Sequence, residues 1–513
     1  MTVYLKPNVI IEPLFNQWYA WSYLISPATA AVAFPKNSSE PLSKNKVTQT
    51  IDEFLAKLTS LDIKLWVDGE RLRCNAPKGI LTPTLKTQLS ERKTEIIEFL
   101  NNKSNDRKTL ALLKADTVLD SSIRPQLLTQ PNVEPSCILL TGATGFVGAF
   151  LLYELLQQTS ADVYCLVRAN STELAWDKLQ NCLKSYLLWQ EGFKSRIIPV
   201  IGDLSKPFLS ISEEQFHKLA DKIDVIYHNG AWVHHASPYS LLKATNVLGT
   251  QEVLRLACKL KAKPVHFISA SSVFSEVAGS GVRVIREQDN IDNGKAPFDG
   301  YSQSKWVAEK LVTAAGNRGL PVCIYRLGRI SGHSQTGVFN VNDFFYRLII
   351  GCVQLGSIPD GELIQDIIPV DYASKAIVHL SKQQASWGKA FHLVHPQPVS
   401  SNLFFDKLRS LGYPIQNVSY EQWYSQLLNI AESSPEHALY PLVSLLPAPN
   451  SQTQFSESAV VKFDYQNTLN GLKGTSITCP PIDDQLLSTY FSYLINSGFL
   501  APLPISNELK KAV

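Results

Sequence analysis

The sequence has few charged residues and almost no net charge. Charged side chains make up 18% of the 513 residues, and 48 basic residues nearly balance 45 acidic ones, which leaves a formal net charge of +3. This balance supplies no electrostatic footprint for nucleic acid, so we expect no nucleic-acid partner. The 45% of apolar residues is typical of globular rather than disordered proteins. At this length, about two to four compact units are expected.

The eight cysteines form no CxxC pair and have no histidine partner at metal-ligand spacing. Scattered single cysteines are typical of a reduced protein with buried thiols, so we expect a cytoplasmic location. The chain also contains neither an HExxH motif nor a P-loop signature. These absences remove the main support for a zinc hydrolase or a nucleotide triphosphatase, and we expect no metal site.

One long run of the sequence lacks charge altogether. Residues 14–34 contain no charged side chain, and this is about the length that spans a bilayer. The run contains several polar residues and Pro27, and no cluster of positive charge flanks it closely, so a membrane span is unfavourable. A signal peptide also fits poorly, because Glu12 intervenes and aromatic residues are frequent. We interpret residues 1–46 as an apolar leader and linker that packs against a partner or against the rest of the protein.

Residues 47–102 have the pattern of a small helix and hairpin module. Apolar residues recur at helical spacing over 47–62, and two alternating segments then flank Asp68-Gly69, a two-residue hairpin signal. A further helix is predicted to begin near Thr82-Pro83 and to end at a polar linker over 101–107.

This module resembles the TubC-type N-terminal docking domain of non-ribosomal peptide synthetases and hybrid polyketide synthases. The matching segment is LDIKLWVDGERLRCNAPKGILTPTLKTQLSERKTEIIEFL. The resemblance implies a partner, the C-terminal tail of an upstream synthetase or synthase subunit. Such a tail is captured by adding a strand to the edge of the hairpin.

Strand and helix patterns alternate between residues 107 and 335. The strand-like segments include CILL, DVYCLVRA, RIIPVIGDLS, DVIYHNGA, PVHFISASSVF and LPVCIYRLGRISG. Such alternation predicts an α/β fold with a doubly wound parallel Rossmann-type sheet. Residues 336–505 carry helical apolar patterns and are expected to form a smaller, mainly helical C-terminal part that binds substrate and carrier. Aromatic residues there either line a pocket or belong to ordinary helix core, and we favour helix core. They are at positions 404, 405, 420, 423 and 424.

Three glycines, Gly142, Gly145 and Gly148, lie between a predicted strand and a predicted helix, as a dinucleotide fingerprint requires. The first lets the chain turn, the second allows the backbone to approach a pyrophosphate, and the third lets the helix pack close to the sheet. The helix N-terminus then offers free N–H groups to the phosphates. This GxxGxxG spacing resembles that of the extended short-chain dehydrogenase/reductase superfamily. The predicted cofactor loop also includes Thr144, Phe146 and Val147.

Arg168 stands after the second strand, where an NAD enzyme usually has an acid for the ribose hydroxyls. A guanidinium suits a 2′-phosphate, so NADPH is favoured over NADH. Lys178 either assists Arg168 or is a solvated helix charge. The resemblance implies further cofactor contacts, at the adenine and along the cofactor. These residues are Asp203 and Leu204, and Asn229, Gly230 and Ala231.

Tyr301 and Lys305 form the YxxxK pair of the same superfamily, and the helical pitch places both side chains on one face. An ammonium nearby stabilises a developing phenolate, so Tyr301 is expected to exchange a proton with the reacting oxygen near neutral pH. Lys305 is also expected to reach the nicotinamide ribose. The resemblance assigns Asn246 to position Lys305 through water.

Ala270 departs from the superfamily pattern, because the third catalytic residue at this position should be Ser or Thr. Either Ser271 or Ser272 could supply the hydroxyl through a shifted backbone, and we select Ser271. Otherwise the oxyanion is held by Tyr301 and water alone.

Several later segments of the sequence carry a further resemblance. They are residues 114–120, YRLGRISG, NDFFYRLIIGCVQLGSIPD, DIIPVDYASKAIVHLS and YFSYLINSGFL. Together they resemble the thioester reductase domains of non-ribosomal peptide synthetases and polyketide synthases. The resemblance covers residues 107–502 and implies a substrate, a thioester on the phosphopantetheine of a carrier protein. NADPH would reduce it to an aldehyde, and a second hydride would give the alcohol.

Two alternatives to this function stay open. The chain could be a stand-alone fatty acyl-CoA or acyl-carrier-protein reductase, in which the docking module serves another contact. If Ala270 disables the chemistry, the chain could instead be an NADP-binding scaffold module. A nucleotide-sugar epimerase or dehydratase shares the fold but not the C-terminal phrases.

Overall fold

The structure, a computed structural model, divides into two compact units, Met1–Ile97 and Glu98–Val513. The described residues are 51, 54–55, 58, 61, 63–68, 71–75, 80, 82–125, 134–235, 237–280, 284–292, 294–361, 364–434, 436–446, 449 and 462–502. The uncharged run at 14–34 lies outside the described residues, so its interpretation stays a prediction. Within the described ranges, no helix has both the length and the hydropathy of a membrane span.

The first unit contains the predicted hairpin and the predicted helix start. Its elements are β1 (Lys64–Asp68), β2 (Arg71–Asn75) and α1 (Pro83–Glu91). The strands pair antiparallel with Asp68 opposite Arg71, so the connection has the two residues that the Asp68-Gly69 signal predicts. Thr82 caps α1, because its side chain accepts a hydrogen bond from the Leu85 N–H at 3.2 Å. Both predictions are confirmed.

The predicted linker over 101–107 is wrong, because this stretch is helical. Helix α2 (Lys93–Asp116) runs through it without interruption. Its 24 residues include neither proline nor glycine, the residues that end helices most strongly. Near its C-terminal end, Leu113 is fully buried in an apolar core. Burial of apolar side chains stabilises the helix more than its polar composition weakens it.

The second unit is built around a seven-stranded parallel sheet. The strands of this unit are, in chain order, β3 (Cys137–Thr141), β4 (Asp162–Val167), β5 (Ile197–Ile201), β6 (Val225–His228), β7 (Val265–Ala270), β8 (Val284–Ile285), β9 (Val322–Leu327), β10 (Arg329–Ser331), β11 (Ser357–Pro359), β12 (Ile364–Gln365), β13 (Ile367–Pro369), β14 (Ala390–Leu393), β15 (Val399–Ser400), β16 (Gln416–Val418) and β17 (Lys462–Phe463). The sheet has the order β14-β9-β7-β6-β3-β4-β5, and each neighbouring pair is parallel. The strand order reverses beside β3, which places a crevice at the carboxyl ends of β3 and its neighbours. The predicted α/β fold is confirmed.

Helices cover both faces of the sheet, and further helices pack with one another in the C-terminal residues. The helices of this unit are α3 (Phe146–Gln158), α4 (Thr172–Ser185), α5 (Glu213–Lys222), α6 (Tyr239–Lys243), α7 (Gly249–Cys258), α8 (Gly300–Asn317), α9 (Phe344–Leu355), α10 (Val370–Ser381), α11 (Asn402–Ser410), α12 (Tyr420–Ser433), α13 (Gln466–Leu472) and α14 (Asp484–Asn496). One core lies between the sheet and helices α3 and α10, and a second lies between the sheet and helices α7 and α8. Parallel strands buried on both faces explain why their sequences are nearly continuous apolar runs.

Residues beyond 335 also contribute to the sheet, although the sequence predicts that they form the separate C-terminal part. Strand β14 pairs with β9 at the sheet edge, and α10 packs against α3 on one face. The boundary between 335 and 336 stays a prediction, although the residues that complete the sheet follow it. A third apolar core lies in the C-terminal residues, where Phe404, Phe405 and Trp423 are buried. Their interpretation as helix core is confirmed.

Candidate active site

The glycine loop between β3 and α3 requires close approach of backbones. Gly142 has a φ of 74°, which glycine adopts without steric cost. A Cβ atom at Gly142 would lie 2.7 Å from Gly230 Cα, and one at Gly148 would lie 1.9 Å from Gly142 O. Gly145 directly precedes α3, and no described side chain caps that helix. The first N–H groups of α3 are therefore available to bind a phosphate.

The other predicted loop residues, Thr144, Phe146 and Val147, lie in the same turn. Thr144 is exposed, whereas Phe146 and Val147 are half-buried and pack against the core beneath the sheet. The Phe146 ring makes an edge contact with Phe150, with the ring centroids 5.4 Å apart. The Phe146 and Val147 side chains anchor the start of α3 in the core. These residues could therefore bind a cofactor only through their backbone N–H groups.

The loop that follows β6, residues 229–231, packs against the glycine loop. Gly230 N donates a hydrogen bond to Thr141 Oγ1 at 2.9 Å, and Asn229 Nδ2 donates one to Gly142 O at 3.3 Å. The structure therefore brings the predicted residues of the two loops together at one edge of the sheet. This is the crevice in which doubly wound folds bind their ligands.

Sequence reasoning missed His228, the last residue of β6. Its Nδ1 lies 2.8 Å from Thr141 Oγ1, and its Nε2 lies 3.0 Å from Thr250 Oγ1. Burial, with a smaller contribution from Lys305, lowers the pKa of His228 to about 3, so the ring is neutral. It joins the glycine loop to α7 without adding a charge to the crevice. The only signal of this role in the sequence is the position of His228 directly before Asn229-Gly230.

A cleft of about 380 Å³ at the carboxyl ends of β4 and β5 brings Arg168, Lys178 and Asp203 together. Lys178 Nζ donates a hydrogen bond to the Arg168 carbonyl at 2.7 Å, so the lysine is held at this cleft. Leu204 follows Asp203, and its Cδ1 lies 2.6 Å from where a Gly230 Cβ would be. Two cationic side chains and one carboxylate therefore line the end of the crevice farther from α8.

These observations fit a nicotinamide dinucleotide. The spaces at Gly142 and Gly148 exclude any side chain, and the uncapped start of α3 faces the same loop. A dinucleotide needs both features, because its pyrophosphate approaches the backbone at a helix N-terminus. The cationic cleft would then hold the adenosine end.

Tyr301 lies in the first turn of α8, whose N-terminus is capped by Asp299. Burial, and less strongly Asp299, raises the pKa of the Tyr301 phenol. The sequence led us to expect that Lys305 would ease ionisation, whereas in the structure the phenol is held in its protonated form. The His235 ring contacts the Tyr301 ring edge-on at 5.3 Å between centroids, and its Nδ1 lies 3.7 Å from Asp299 Oδ1.

Lys305 lies one helical turn after Tyr301 and is 4% exposed. Its Nζ donates a hydrogen bond to Ile268 O at 2.5 Å and lies 4.2 Å from the centre of the Phe267 ring. Burial lowers the pKa of Lys305 to about 7. The lysine thus ties α8 to the carboxyl end of β7, and its charge responds to pH near neutrality.

Asn246 lies in a π-helical turn, Ala244–Leu248, between α6 and α7. Its Nδ2 donates hydrogen bonds to Ser304 Oγ at 2.8 Å and to Trp232 O at 3.0 Å, and its Oδ1 accepts one from Trp232 N at 2.7 Å. Single π turns inside helices are frequent at functional sites. Asn246 therefore holds the residue before Lys305 and the loop that follows residue 231.

The β7 strand ends at Ala270, and Ser271 begins a 3₁₀-helical segment, Ser271–Ser280. Ser271 and Ser272 are both half-buried as residues. Backbone pairing continues to Ala270, which lies opposite Leu327 of β9. The candidate hydroxyls therefore follow the strand end directly.

A buried polar network beneath the site was not predicted. Ser269 Oγ donates a hydrogen bond to Glu309 Oε2 at 2.5 Å, and Arg326 Nη2 lies 2.7 Å from Glu309 Oε1. Arg326 Nη1 lies 3.0 Å from His392 Nε2, on β14. Glu309 lies four residues after Lys305, on the same face of α8. This spacing is the only signal of the network in the sequence.

Comparisons with known proteins match three segments of the chain. Residues 140–377 match an NAD-binding family model described as Male sterility protein. Residues 51–102 match the TubC N-terminal docking domain. Residues 4–47, which include most of the apolar leader, match the model described as Diiron non-heme beta-hydroxylase N-terminal domain.

Among curated proteins, the chain is 39% identical to one subunit of the linear gramicidin synthase of Brevibacillus parabrevis, over 84% of this chain and 8% of that protein. It is 36% identical to glycine betaine reductase ATRR of Emericella nidulans over 77% of this chain and 31% of that protein. The chain therefore spans less than a third of the length of either relative.

Among solved structures, the chain is similar to the terminal R domain from the myxalamid PKS-NRPS biosynthetic pathway. The two are 42% identical with a TM-score of 0.72, over 77% of this chain and 99% of that one. The reductase (R) domain of a non-ribosomal peptide synthetase from Mycobacterium tuberculosis is 26% identical, with a TM-score of 0.63, over 76% of this chain and 99% of that one. The chain belongs to the reductase (R) domain family of non-ribosomal peptide synthetases, and a TubC-type docking domain precedes its reductase part.

Proposed function

We propose that the protein is an NADPH-dependent thioester reductase that releases an acyl or peptidyl chain from a carrier protein as an aldehyde. The observation that carries this proposal is the pair of the half-buried Tyr301 and the buried Lys305, which lie one helical turn apart on α8. Lys305 holds this helix to the carboxyl end of β7. The glycine cradle lies at the same edge of the sheet, two strands away. Membership of the R domain family supports the same chemistry.

The cationic cleft supports NADPH as the cofactor. Arg168 and Lys178 line the cleft where the ribose of the adenosine would lie, and the only carboxylate among its described lining residues is Asp203. A guanidinium binds a 2′-phosphate through paired charge-assisted hydrogen bonds, whereas NADH has no group there that requires a cation.

In the chemical step, Tyr301 and Lys305 act on the carbonyl oxygen of the thioester. When bound in the glycine cradle, the nicotinamide cofactor would supply a hydride to the thioester carbonyl carbon. Tyr301, which burial keeps protonated, donates its proton to the oxygen on which negative charge develops, so that a hemithioacetal forms. The ammonium of Lys305 stabilises the phenolate that remains. Return of the hydroxyl proton to Tyr301 re-forms the carbonyl and breaks the C–S bond, and the departing thiolate takes a proton from solvent.

The product of this sequence is an aldehyde and a free carrier thiol. A second round, with a second hydride and a second proton, would give the alcohol by the same residues. Both outcomes use one site, so the extent of reduction depends on how quickly the aldehyde leaves.

Two partners follow from the proposal. The substrate arrives on the phosphopantetheine of a carrier protein. The docking domain would capture the C-terminal tail of an upstream subunit at the edge of the β1 and β2 hairpin. Removing residues 1–92, which ends before α2 begins, is expected to slow transfer from the cognate subunit and leave reduction of a small soluble thioester unchanged. Equal turnover of the carrier-bound substrate by both forms would contradict docking.

The defining experiment incubates the protein with NADPH and acyl or peptidyl thioesters on carrier protein. Cofactor oxidation is followed by absorbance, and the product by mass. Tyr301→Phe is expected to lower kcat by about 10²–10⁴-fold, because it removes the proton donor. A Tyr301→Phe variant as active as the wild type would overturn the assigned role. Turnover of acyl-CoA in preference to carrier-bound thioester would favour the stand-alone reductase, and NADPH binding without any turnover would favour the scaffold.

A further inference from the structure

We propose that Ser272, rather than Ser271, donates the hydrogen bond that stabilises the developing oxyanion, in place of the hydroxyl missing at Ala270. This assignment rests on the proposed reductase function and identifies a further catalytic residue of the same site.

The first observation is an unsatisfied hydroxyl. Ser272 Oγ is buried and has no hydrogen-bond partner among the described residues. Among the described residues, one other buried side-chain atom has no such partner, Trp423 Nε1, and it lies against the Cys352 thiol. An unpaired buried polar group lowers the stability of the fold, so proteins rarely keep one without a ligand that completes its hydrogen bonding.

The second observation is the direction in which Ser272 faces. Residues Ser271–Ser280 form a 3₁₀ helix, in which side chains three positions apart lie on the same face. Ser275 therefore shares the face of Ser272, and its Oγ accepts a hydrogen bond from Phe298 N at 3.3 Å. Phe298 lies three residues before Tyr301. The face that carries Ser272 is thus the one turned toward the chain leading into the catalytic tyrosine.

The same periodicity places Ser271 on a different face. Three residues after Ser271 is Phe274, which is 3% exposed. The Phe274 ring contacts the rings of His392 and Phe463 at centroid distances of 6.1 and 6.3 Å. Ser271 therefore shares the face that packs toward β14 and β17, away from the approach to Tyr301.

The third observation is a hydrogen bond that holds α8 against the end of β7. Lys305 Nζ is bound to Ile268 O, two residues before Ala270, so α8 cannot move away from the end of β7 without breaking this bond. In the chemical step, the Ser272 O–H donates a hydrogen bond to the carbonyl oxygen as negative charge develops, and Tyr301 transfers the proton. Ser272 itself neither gains nor loses a proton.

The test compares Ser272→Ala, Ser271→Ala and the double variant Ser272→Ala with Ala270→Ser, all in the full chain. Loss of one oxyanion donor is expected to lower kcat by about 10²–10³-fold in Ser272→Ala. This loss should exceed that of Ser271→Ala at least tenfold, with KM and the Kd for NADPH unchanged. Ala270→Ser in the double variant should recover at least a tenth of the wild-type kcat. Thermal stability of Ser272→Ala should equal or exceed that of the wild type, because the variant removes an unpaired hydroxyl.

A kcat within about threefold of wild type in Ser272→Ala would overturn the assignment while leaving the reductase function intact. A larger loss in Ser271→Ala would also overturn it. Loss of activity together with lower stability and weaker NADPH binding would show a structural role instead. A wild-type protein that turns over no carrier-bound thioester would overturn the proposed function, and this assignment with it.

Discussion

The Ser269 hydroxyl donates a hydrogen bond to Glu309 across 2.5 Å, and this bond joins the end of β7 to the helix that carries Tyr301 and Lys305. Glu309 is 1% exposed and is paired with Arg326, which is itself buried. The end of β7 and helix α8 are therefore held together twice, through the Glu309 carboxylate and through the Lys305 bond to Ile268 O.

Removing the cation from this pair is expected to destabilise the fold. Arg326→Met leaves the Glu309 carboxylate buried without its cationic partner, so the free energy of unfolding should fall by about 3–5 kcal/mol in urea titrations. The matched control is Arg255→Met, because the Arg255 pair with Asp120 is partly exposed. The free energy of unfolding of Arg255→Met should fall by less than about 1 kcal/mol. Similar losses in the two variants would contradict the stabilising role of the buried pair.

The stability of the cofactor-free protein is expected to depend on pH through Lys305. Burial lowers the pKa of Lys305 to about 7, from an ordinary value of 10.5. Between these pH values the unfolded chain holds a proton on this lysine that the folded chain lacks, so its contribution makes the folded state more stable as pH rises.

The Lys305→Met variant lacks this contribution. The stability of the wild type, minus that of Lys305→Met, should therefore rise by about 1.4 kcal/mol per pH unit between about pH 7.5 and 9.5. Urea titrations at three pH values measure the difference, in which the other titrating groups cancel. Parallel curves for the two proteins would show that Lys305 keeps an ordinary pKa.

The glycine loop gives a prediction for cofactor binding. A Cβ at Gly148 would lie 1.9 Å from the backbone oxygen of Gly142, so Gly148→Ala must displace the loop. The strain of about 1–3 kcal/mol should raise the Kd for NADPH by about 10–100-fold in fluorescence titrations. Gly192→Ala is the control, because no atom lies within 4 Å of its Cβ position. Equal affinities of the two variants would contradict the close approach.

Arg168 is expected to set the preference between cofactors. Arg168→Ala removes a charged hydrogen-bond donor worth about 1.5–3 kcal/mol to a 2′-phosphate, so the KM for NADPH should rise about 10–100-fold. The KM for NADH should stay unchanged. Lys178→Ala should have a smaller effect, because Lys178 Nζ donates to the Arg168 carbonyl. An equal effect of Arg168→Ala on both cofactors would contradict 2′-phosphate recognition.

Local patterns in the sequence predicted much of the fold and located the motifs of the candidate site. The buried parallel strands are apolar runs bounded by turn residues, and the glycine loop and the YxxxK pair are short motifs, so each could be identified without distant contacts. The hairpin around Asp68 could be identified for the same reason.

Features that depend on distant packing could not be predicted. Arg326 reaches Glu309 only because β9 and α8 pack together, and burial rather than the neighbouring lysine sets the pKa of Tyr301. The helix over 101–107 depends on burial of residues farther along α2. The choice between Ser271 and Ser272 depends on the phase of a 3₁₀ segment, which no short motif reveals.

The edge strand β14 restricts where the chain can be divided. Until residues 390–393 have been synthesised, β9 has no neighbour on one side, and its unpaired N–H and C=O groups are exposed to other chains. A fragment that ends at residue 335 is therefore expected to aggregate during synthesis. For the exchange of reductase domains between assembly lines, junctions should lie outside residues 98–502, so that the strand and its sheet are transferred together.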